Sequence, residues 1–529
     1  MPRTPRSWGF RECLSPRAPS DASLVMSTVT EPALDIASEP GSDGFRTPQY
    51  DLRGGMLTRS IGVGPARHSA CINLGTHLGA ADSMAAADTA RPRAADIGAD
   101  PAGAWWKALL AGELPRPAAS ACDVRVPAAV GAVTPAIDAS LLRTADLFCG
   151  VGGLSAGVRI AAAEFGREVR CELAVDTDAE ALAVFQRNHR PGQISTESVR
   201  ALLDYRVRGD GRDAAFVYAP ELLDPLIAEQ CDGVDLVVAG PPCQGHSNLN
   251  NHSRRADRRN HLYLSVVAFA VATRARAVVI ENVAAVVHDA NQVVASATAL
   301  LETAGYAVET GVLAAHEMGW PQTRKRHFLV ACAADGCLLD EPAAVAGWAV
   351  GNGPVPLTKM ADALRSAEQR SVMWAIGGGQ ALSGDARLHE LPEIRGTNRE
   401  RIAWLFDNDA HDLALTERPE SHRDGTTYGA SYGRMHADRP SPTITTGYTT
   451  PGRGRFVHPT LPRTISHAEA ARLQGFPDRY CFEPSPGRVA TSAQLSKWIG
   501  NAVTIPLGYA AALSALLPTR AQSDPERNT

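Results

Sequence analysis

The sequence lacks any run of about eighteen consecutive apolar residues, so no membrane-spanning helix is expected. No secretory leader is expected either. The first twenty residues, MPRTPRSWGFRECLSPRAPS, carry arginines but no apolar core, which argues against secretion. Paired cysteine spacing is missing: the ten cysteines are scattered, and Cys332 and Cys337 have no second pair to complete a zinc site. The expectation is therefore no metal and the reduced thiols of a cytoplasmic protein. Charge of one sign is lacking as well. The 52 Lys and Arg against 57 Asp and Glu leave a net charge of −5, which argues against a uniformly basic nucleic-acid binder while leaving room for a local basic cleft.

The 529 residues, 44% hydrophobic and 21% charged, are enough for two or three domains with true cores. The chain divides visibly. Residues 1–138 are rich in Ala, Pro, Gly, Ser and Asp, and only AWWKALLAG (104–112) has a helical apolar face. This N-terminal extension is expected to be largely disordered. Met26 and Met56 both stand where translation could start, which would put part of the extension upstream of the true beginning.

From Arg143 the texture changes. RTADLFCG (143–150), VRCELAVD (169–176), VDLVVAG (234–240), AVVIENV (277–283) and RHFLVACA (326–333) read as strands. LSAGVRIAAAEFG and DAEALAVFQRNH between them have helical spacing. Apolar strands alternating with amphipathic helices predict an α/β fold, a doubly wound and mostly parallel sheet of Rossmann-like type. The expected divisions are 139–334 for this domain, 335–438 for a smaller irregular domain, 439–515 for a return to the first, and 516–529 for a disordered tail.

Phe148-Cys-Gly150-Val-Gly152-Gly153 joins a strand to a helix, the arrangement that admits a nucleotide cofactor at the carboxyl end of a sheet. Asp176, ending the next strand, can accept hydrogen bonds from ribose hydroxyls or cap the following helix. Three further clusters fall at strand ends. They are Pro242-Cys243-Gln244, Glu281-Asn282-Val283 and Gln322-Thr323-Arg324-Lys325-Arg326. A thiol, a carboxylate and a guanidinium distant in sequence can meet in one crevice of such a sheet. Each also has a bland reading, as packed cysteine, helix cap or solvated loop.

In these segments the chain resembles the cytosine-C5 DNA methyltransferases, bacterial modification type, from about residue 143 to 515. DLFCGVGGLSAG, AVDTDAEAL, GPPCQGHS, VVIENV, GWPQTRKRHFLV, RPSPTITT with ISHAEAARLQGFPD, and IGNAV follow the family's motif order. The resemblance implies methyl transfer from S-adenosyl-L-methionine to C5 of a cytosine flipped out of duplex DNA. It implies Cys243 as nucleophile, Glu281 as the group on N3, Asn282 orienting the loop, and Arg324 and Arg326 holding the base or a phosphate. It implies cofactor contacts from Asp146, Phe148, Gly150, Gly152, Gly153, Asp176, Thr177, Pro241, Asn501 and Val503. DNA contacts are expected from Gln244, Ser247, Gln322 and the basic loop carrying Arg254, Arg255, Arg258 and Arg259, read as a mobile cover. Residues 335–438 are expected to read base edges in the major groove.

Two positions depart from the family's pattern. STESVRALL offers Ser198, or Glu197, where an Asp usually contacts the adenine, and His246 replaces a Phe. The protein is expected to be a monomer. A cognate restriction endonuclease is an expected partner. The alternative activity is a tRNA cytosine-C5 methyltransferase; a nicotinamide oxidoreductase and an inactive DNA-binding module are further readings.

Overall fold

The computed structural model describes residues 46–63, 66–74, 94–117, 141–242, 262–333, 353–377, 386–391, 393–394, 396–420, 423 and 430–517. Its centre is a seven-stranded sheet. The strands are β5 (Leu141–Leu147), β6 (Glu168–Val175), β7 (Gln193–Ser195), β12 (Leu236–Ala239), β13 (Ala277–Val283), β14 (Tyr306–Ala314) and β15 (Lys325–Ala333). Strands β8 to β11, at 203–204, 207–208, 215–216 and 221–222, form two small ladders beside it. The order β14-β15-β13-β12-β5-β6-β7 is parallel from β13 to β7, and β15 runs antiparallel to both its neighbours. This is the doubly wound, mostly parallel sheet expected. The strands β7 and β14 were not anticipated: one has three residues, the other a half-exposed, weakly apolar stretch.

Successive side chains of the central strands enter different cores, as a pleated strand requires. Val238, Val279 and Val330 belong to one buried cluster; Val237, Val278 and Leu329 belong to another. Both faces are covered, which is why these strands read as unbroken apolar runs rather than alternating ones.

The helices are α1 (Ala94–Ala99), α2 (Pro101–Leu110), α3 (Gly153–Ala163), α4 (Ala179–His189), α5 (Pro225–Cys231), α6 (Leu262–Ala272), α7 (Val293–Thr303), α8 (Leu357–Leu364), α9 (Val372–Ile376), α10 (Ala386–His389), α11 (Thr397–Asp407), α12 (His467–Gln474), α13 (Ser492–Asn501) and α14 (Ile505–Leu516). Helices α3 and α14 pack closely. A Cβ on Gly157 would lie 2.5 Å from the Tyr509 nitrogen, so only glycine permits this approach. The stretch Ser492–Leu516 is long and apolar enough to cross a membrane by length and composition, but it is a core element: its 18-residue apolar window is 89% buried inside the protein.

The expectation of a largely disordered 1–138 is corrected for residues 46–63, 66–74 and 94–117. Strands β1 (Arg46–Arg53), β2 (Met56–Val63), β3 (Ala66–Asn73) and β4 (Arg116–Pro117) form an antiparallel sheet. Helix α2 is capped by Asp100, which accepts the Gly103 N–H at 2.8 Å. Its Trp105 and Trp106 are buried against Tyr509 and Trp320. Arg59 explains why β2 did not read as a strand. It occupies a core-facing position between Leu57 and Ile61, where the pattern calls for an apolar side chain. There it pairs with Glu164 and lies 5.0 Å from the Trp105 and Tyr509 ring centroids.

The boundary expected at 335 is likewise displaced. Val355, Leu357, Met360 and Leu364 sit in the same core cluster as α14. A small separate cluster of Ile402, Leu405, Leu413 and Val457 forms around α11.

Candidate active site

Two loops meet at the carboxyl ends of β5 and β12. The first is the glycine turn. Phe148 has φ 57°, Gly150 φ 52° and Gly152 φ 91°. The left-handed region is costly for Phe148, and such strain concentrates at functional loops. Asp176 holds the turn: one carboxylate oxygen accepts the Gly150 N–H at 2.8 Å and the other the Asp178 N–H at 2.8 Å. Burial raises its pKa, and those two amides oppose the rise. Each oxygen keeps a lone pair for a further donor. The actual cap of α4 is Asp178, which accepts the Ala181 N–H. Asp178 also accepts from Lys497 at 2.7 Å and from the Trp498 indole at 3.2 Å.

Asp146 lies beneath the turn, 1% exposed, and accepts the Ser155 hydroxyl at 2.6 Å. Burial raises its pKa to about 8; the Ser155 bond opposes this, and the nearby Asp176 charge adds to it. Its Oδ1 is buried without a hydrogen-bond partner among the described residues. A Cβ at Gly150 would meet nothing within 4 Å, so the turn opens onto free space. Thr177 is exposed and lines an open groove of about 530 Å³ with Asp178, Ala179, Glu180, Ala493, Gln494 and Lys497. Unsaturated carboxylate acceptors, an open glycine turn and this groove fit a nucleoside cofactor such as S-adenosyl-L-methionine.

The second loop leaves β12 through Gly240, Pro241 and Pro242. A Cβ on Gly240 would lie 3.7 Å from Glu281 Oε2 and 3.9 Å from a Val503 methyl, so three sequence-distant segments converge there. Glu281, near the end of β13, is 8% exposed, and Arg326 Nε on β15 stands 2.8 Å from its Oε1. The adjacent Asn282 donates its amide N–H to the Pro241 carbonyl at 3.3 Å, fastening the proline turn to β13. The Tyr263 hydroxyl on α6, which the sequence did not suggest, is buried without a hydrogen-bond partner among the described residues; burial and then the Glu281 charge push its pKa up.

Arg324 occupies a different position. Only 2% exposed, it donates to the carbonyls of Ile444 at 2.9 Å, Gly500 at 3.4 Å and Ala502 at 3.0 Å. Gln322, expected to touch DNA, is corrected. It is fully buried, donates to the Leu473 carbonyl at 2.8 Å and the Gln474 side chain at 3.2 Å, and accepts the Ile444 N–H at 3.2 Å. Gln474 extends this knot to the carbonyls of Ile499 and Ala502 and accepts the Thr504 hydroxyl at 2.6 Å. A Cβ at Gly153 would collide with the Val503 carbonyl, so the start of α3 rests on this same loop. Asn501, ending α13, is exposed. Gln474 was missed although it stands in the quoted LQGFPD; a lone glutamine in a helix carries no sign of its burial.

Cys243, Gln244, His246, Ser247, Arg254, Arg255, Arg258 and Arg259 lie outside the described residues.

The sequence profile described as "C-5 cytosine-specific DNA methylase" matches residues 142–515. The chain is 35% identical over 377 residues to "Type II methyltransferase M1.BsuMI" of Bacillus subtilis, spanning 71% of this chain and 80% of that protein. It is 28% identical to "Type II methyltransferase M.AgeI" of Thalassovita gelatinovora, spanning 70% of this chain and 98% of the relative. It is 29% identical to "Type II methylase M.HgiDII" of Herpetosiphon aurantiacus, spanning 70% and 93%. The β1–β4 sheet and α2 precede the matched segment.

Proposed function

The chain belongs to the C-5 cytosine-specific DNA methylase family and is a DNA (cytosine-5)-methyltransferase, and from that premise we propose that it methylates a flipped-out cytosine through a covalent Cys243–C6 adduct. The observation that carries this reading is the convergence of Glu281, Arg326 and Val503 on the exit of β12. Cys243 is the residue immediately after the proline pair that Asn282 fastens there.

C5 of cytosine is a poor nucleophile. Addition of the Cys243 thiolate to C6 moves electron density to C5 and N3. Glu281 gives a proton to N3 and takes up the negative character developing on the ring. Arg326 orients the Glu281 carboxyl. C5 would accept the methyl, the cofactor leaving as its thioether; H5 then leaves to a base, the thiolate is eliminated from C6, and the N3 proton returns to Glu281. S-adenosyl-L-methionine would supply an electrophilic methyl on a sulfonium; Asp176, Thr177, Asp146, the turn of Phe148, Gly150, Gly152 and Gly153, and Pro241, Asn501 and Val503 are the residues that would hold it. Arg324 acts one step back, holding the loop that carries Val503.

Extruding the base costs a few kcal/mol, about 2–4. Gln244, Ser247 and the arginines 254, 255, 258 and 259 supply backbone contacts that offset it. The region around α11 reads the target sequence. The relatives' type II names support a partner endonuclease, and the protein acts as a cytoplasmic monomer.

The test is duplex DNA carrying 5-fluorocytosine at the target, located first by bisulfite sequencing of DNA from expressing cells. A denaturation-resistant complex mapped to Cys243, lost in Cys243→Ala while duplex binding persists, is the expected result. Methylation by Cys243→Ala would overturn the mechanism, and labelling of tRNA instead of duplex would overturn the substrate.

A further inference from the structure

Two side chains behind the glycine turn have no part in the mechanism above. Tyr480 lies in the segment after α12, and its hydroxyl donates to the Val151 carbonyl. His189 ends α4, and its Nε2 lies 2.9 Å from the same hydroxyl. A phenol has one proton. With that proton on Val151, the His189 Nε2 must carry hydrogen and donate to the Tyr480 oxygen. The turn is thus held from behind by a two-link chain, His189 to Tyr480 to Val151. Gly152 fits only because it lacks a Cβ, which would overlap the His189 ring and lie 2.9 Å from the Tyr480 hydroxyl.

The supports are themselves anchored. Asn188 and Cys481 exchange hydrogen bonds: the Asn188 amide donates to the Cys481 carbonyl at 2.8 Å and accepts the Cys481 N–H at 3.0 Å. The Asp478 N–H donates to the Leu110 carbonyl at 2.6 Å, so α2 fastens the residue two before Tyr480. His189 is kept neutral, its pKa lowered to about 3 by burial and by Arg159.

We propose that Tyr480 and His189 are positioning residues that set the left-handed conformation of the glycine turn and thereby the affinity for the cofactor. The turn's open side faces the space the cofactor would fill, and its closed side is this pair. The proposal rests on the assignment of that space to S-adenosyl-L-methionine.

The experiment is calorimetric titration of the full chain and its variants with S-adenosylhomocysteine, a readout independent of methyl transfer. His189→Phe, which loses one link, should raise the Kd about three- to tenfold, and Tyr480→Phe, which loses both, should raise it by at least as much. The Kd for duplex DNA should stay within about twofold, as should kcat at saturating cofactor. His189→Gln, which retains a donor near the Nε2 position, should restore cofactor affinity. Unchanged cofactor Kd in both phenylalanine variants overturns the proposal. So does a parallel loss of cofactor binding, DNA binding and Tm, which marks a purely structural role. No binding by the unsubstituted protein overturns the cofactor assignment itself.

Discussion

Arg326 Nε stands 2.8 Å from Glu281 Oε1, across the antiparallel ladder in which Arg326 is registered against Val283. The ladder sets the spacing: neighbouring strands present side chains two residues apart on one face. The guanidinium thereby fixes the carboxyl at the β12 exit. Glu281→Gln should lower kcat by about 100-fold or more with duplex affinity retained, in line with loss of a positioned proton donor. Arg326→Ala should lower kcat by a smaller factor, about tenfold. Methyl incorporation and DNA retention assays check both, and a Glu281→Gln enzyme with full kcat would refute the role.

Arg324 should behave differently from Arg326 despite lying two residues away. Its three carbonyl partners belong to segments 444 and 500–502. Arg324→Ala leaves those acceptors buried, at a cost of about 3 kcal/mol in unfolding free energy. Denaturant titration measures this. A variant of unchanged stability with lost activity would instead place Arg324 in the chemistry.

Glu469 gives a pH prediction. It closes the capping box of α12 with Ser466 and takes two bonds from Arg463 at 2.7 Å. Burial alone would raise its pKa, but Arg463 and His458 outweigh that and lower it to about 2. A depressed carboxylate contributes stability above its unfolded pKa and loses it as pH falls through the folded one. The Tm advantage over Glu469→Gln should be full above about pH 4.5 and shrink toward pH 2. An advantage independent of pH across that window would show that the charge is not its source.

The Arg59–Glu164 pair tests the N-terminal layer. Burial raises the Glu164 pKa to about 7 even beside Arg59. Arg59→Ala strands a buried carboxyl and should cost about 3 kcal/mol. The double variant Arg59→Met, Glu164→Gln should recover most of that, because no unpaired charge remains. Equal losses in the single and double variants, by thermal or denaturant unfolding, would mean that the charge pair is not what seats the layer.

Much of the fold is legible from apolar runs bounded by turns and from helical spacing. AVVIENV reads as a strand over 277–283 and is one, since burial on both faces leaves a nearly continuous apolar run. The glycine turn was legible because its geometry needs residues that tolerate positive φ. Strands β1 to β3 were not legible. Their core-facing row includes Arg59, whose burial depends on Glu164, Trp105 and Tyr509 far away in sequence.

The sequence by itself determined which chemical groups leave the ends of the central strands, because strand period and turn chemistry are local properties. The tertiary structure decided which of them face one another. Arg324 and Arg326 are indistinguishable in QTRKR, yet one is buried among backbone carbonyls and the other meets Glu281. Gln322, in the same segment, is sealed in a polar knot with Gln474 and Thr504. A buried polar side chain is placed by partners that must satisfy it, and those partners are set by packing across the whole chain.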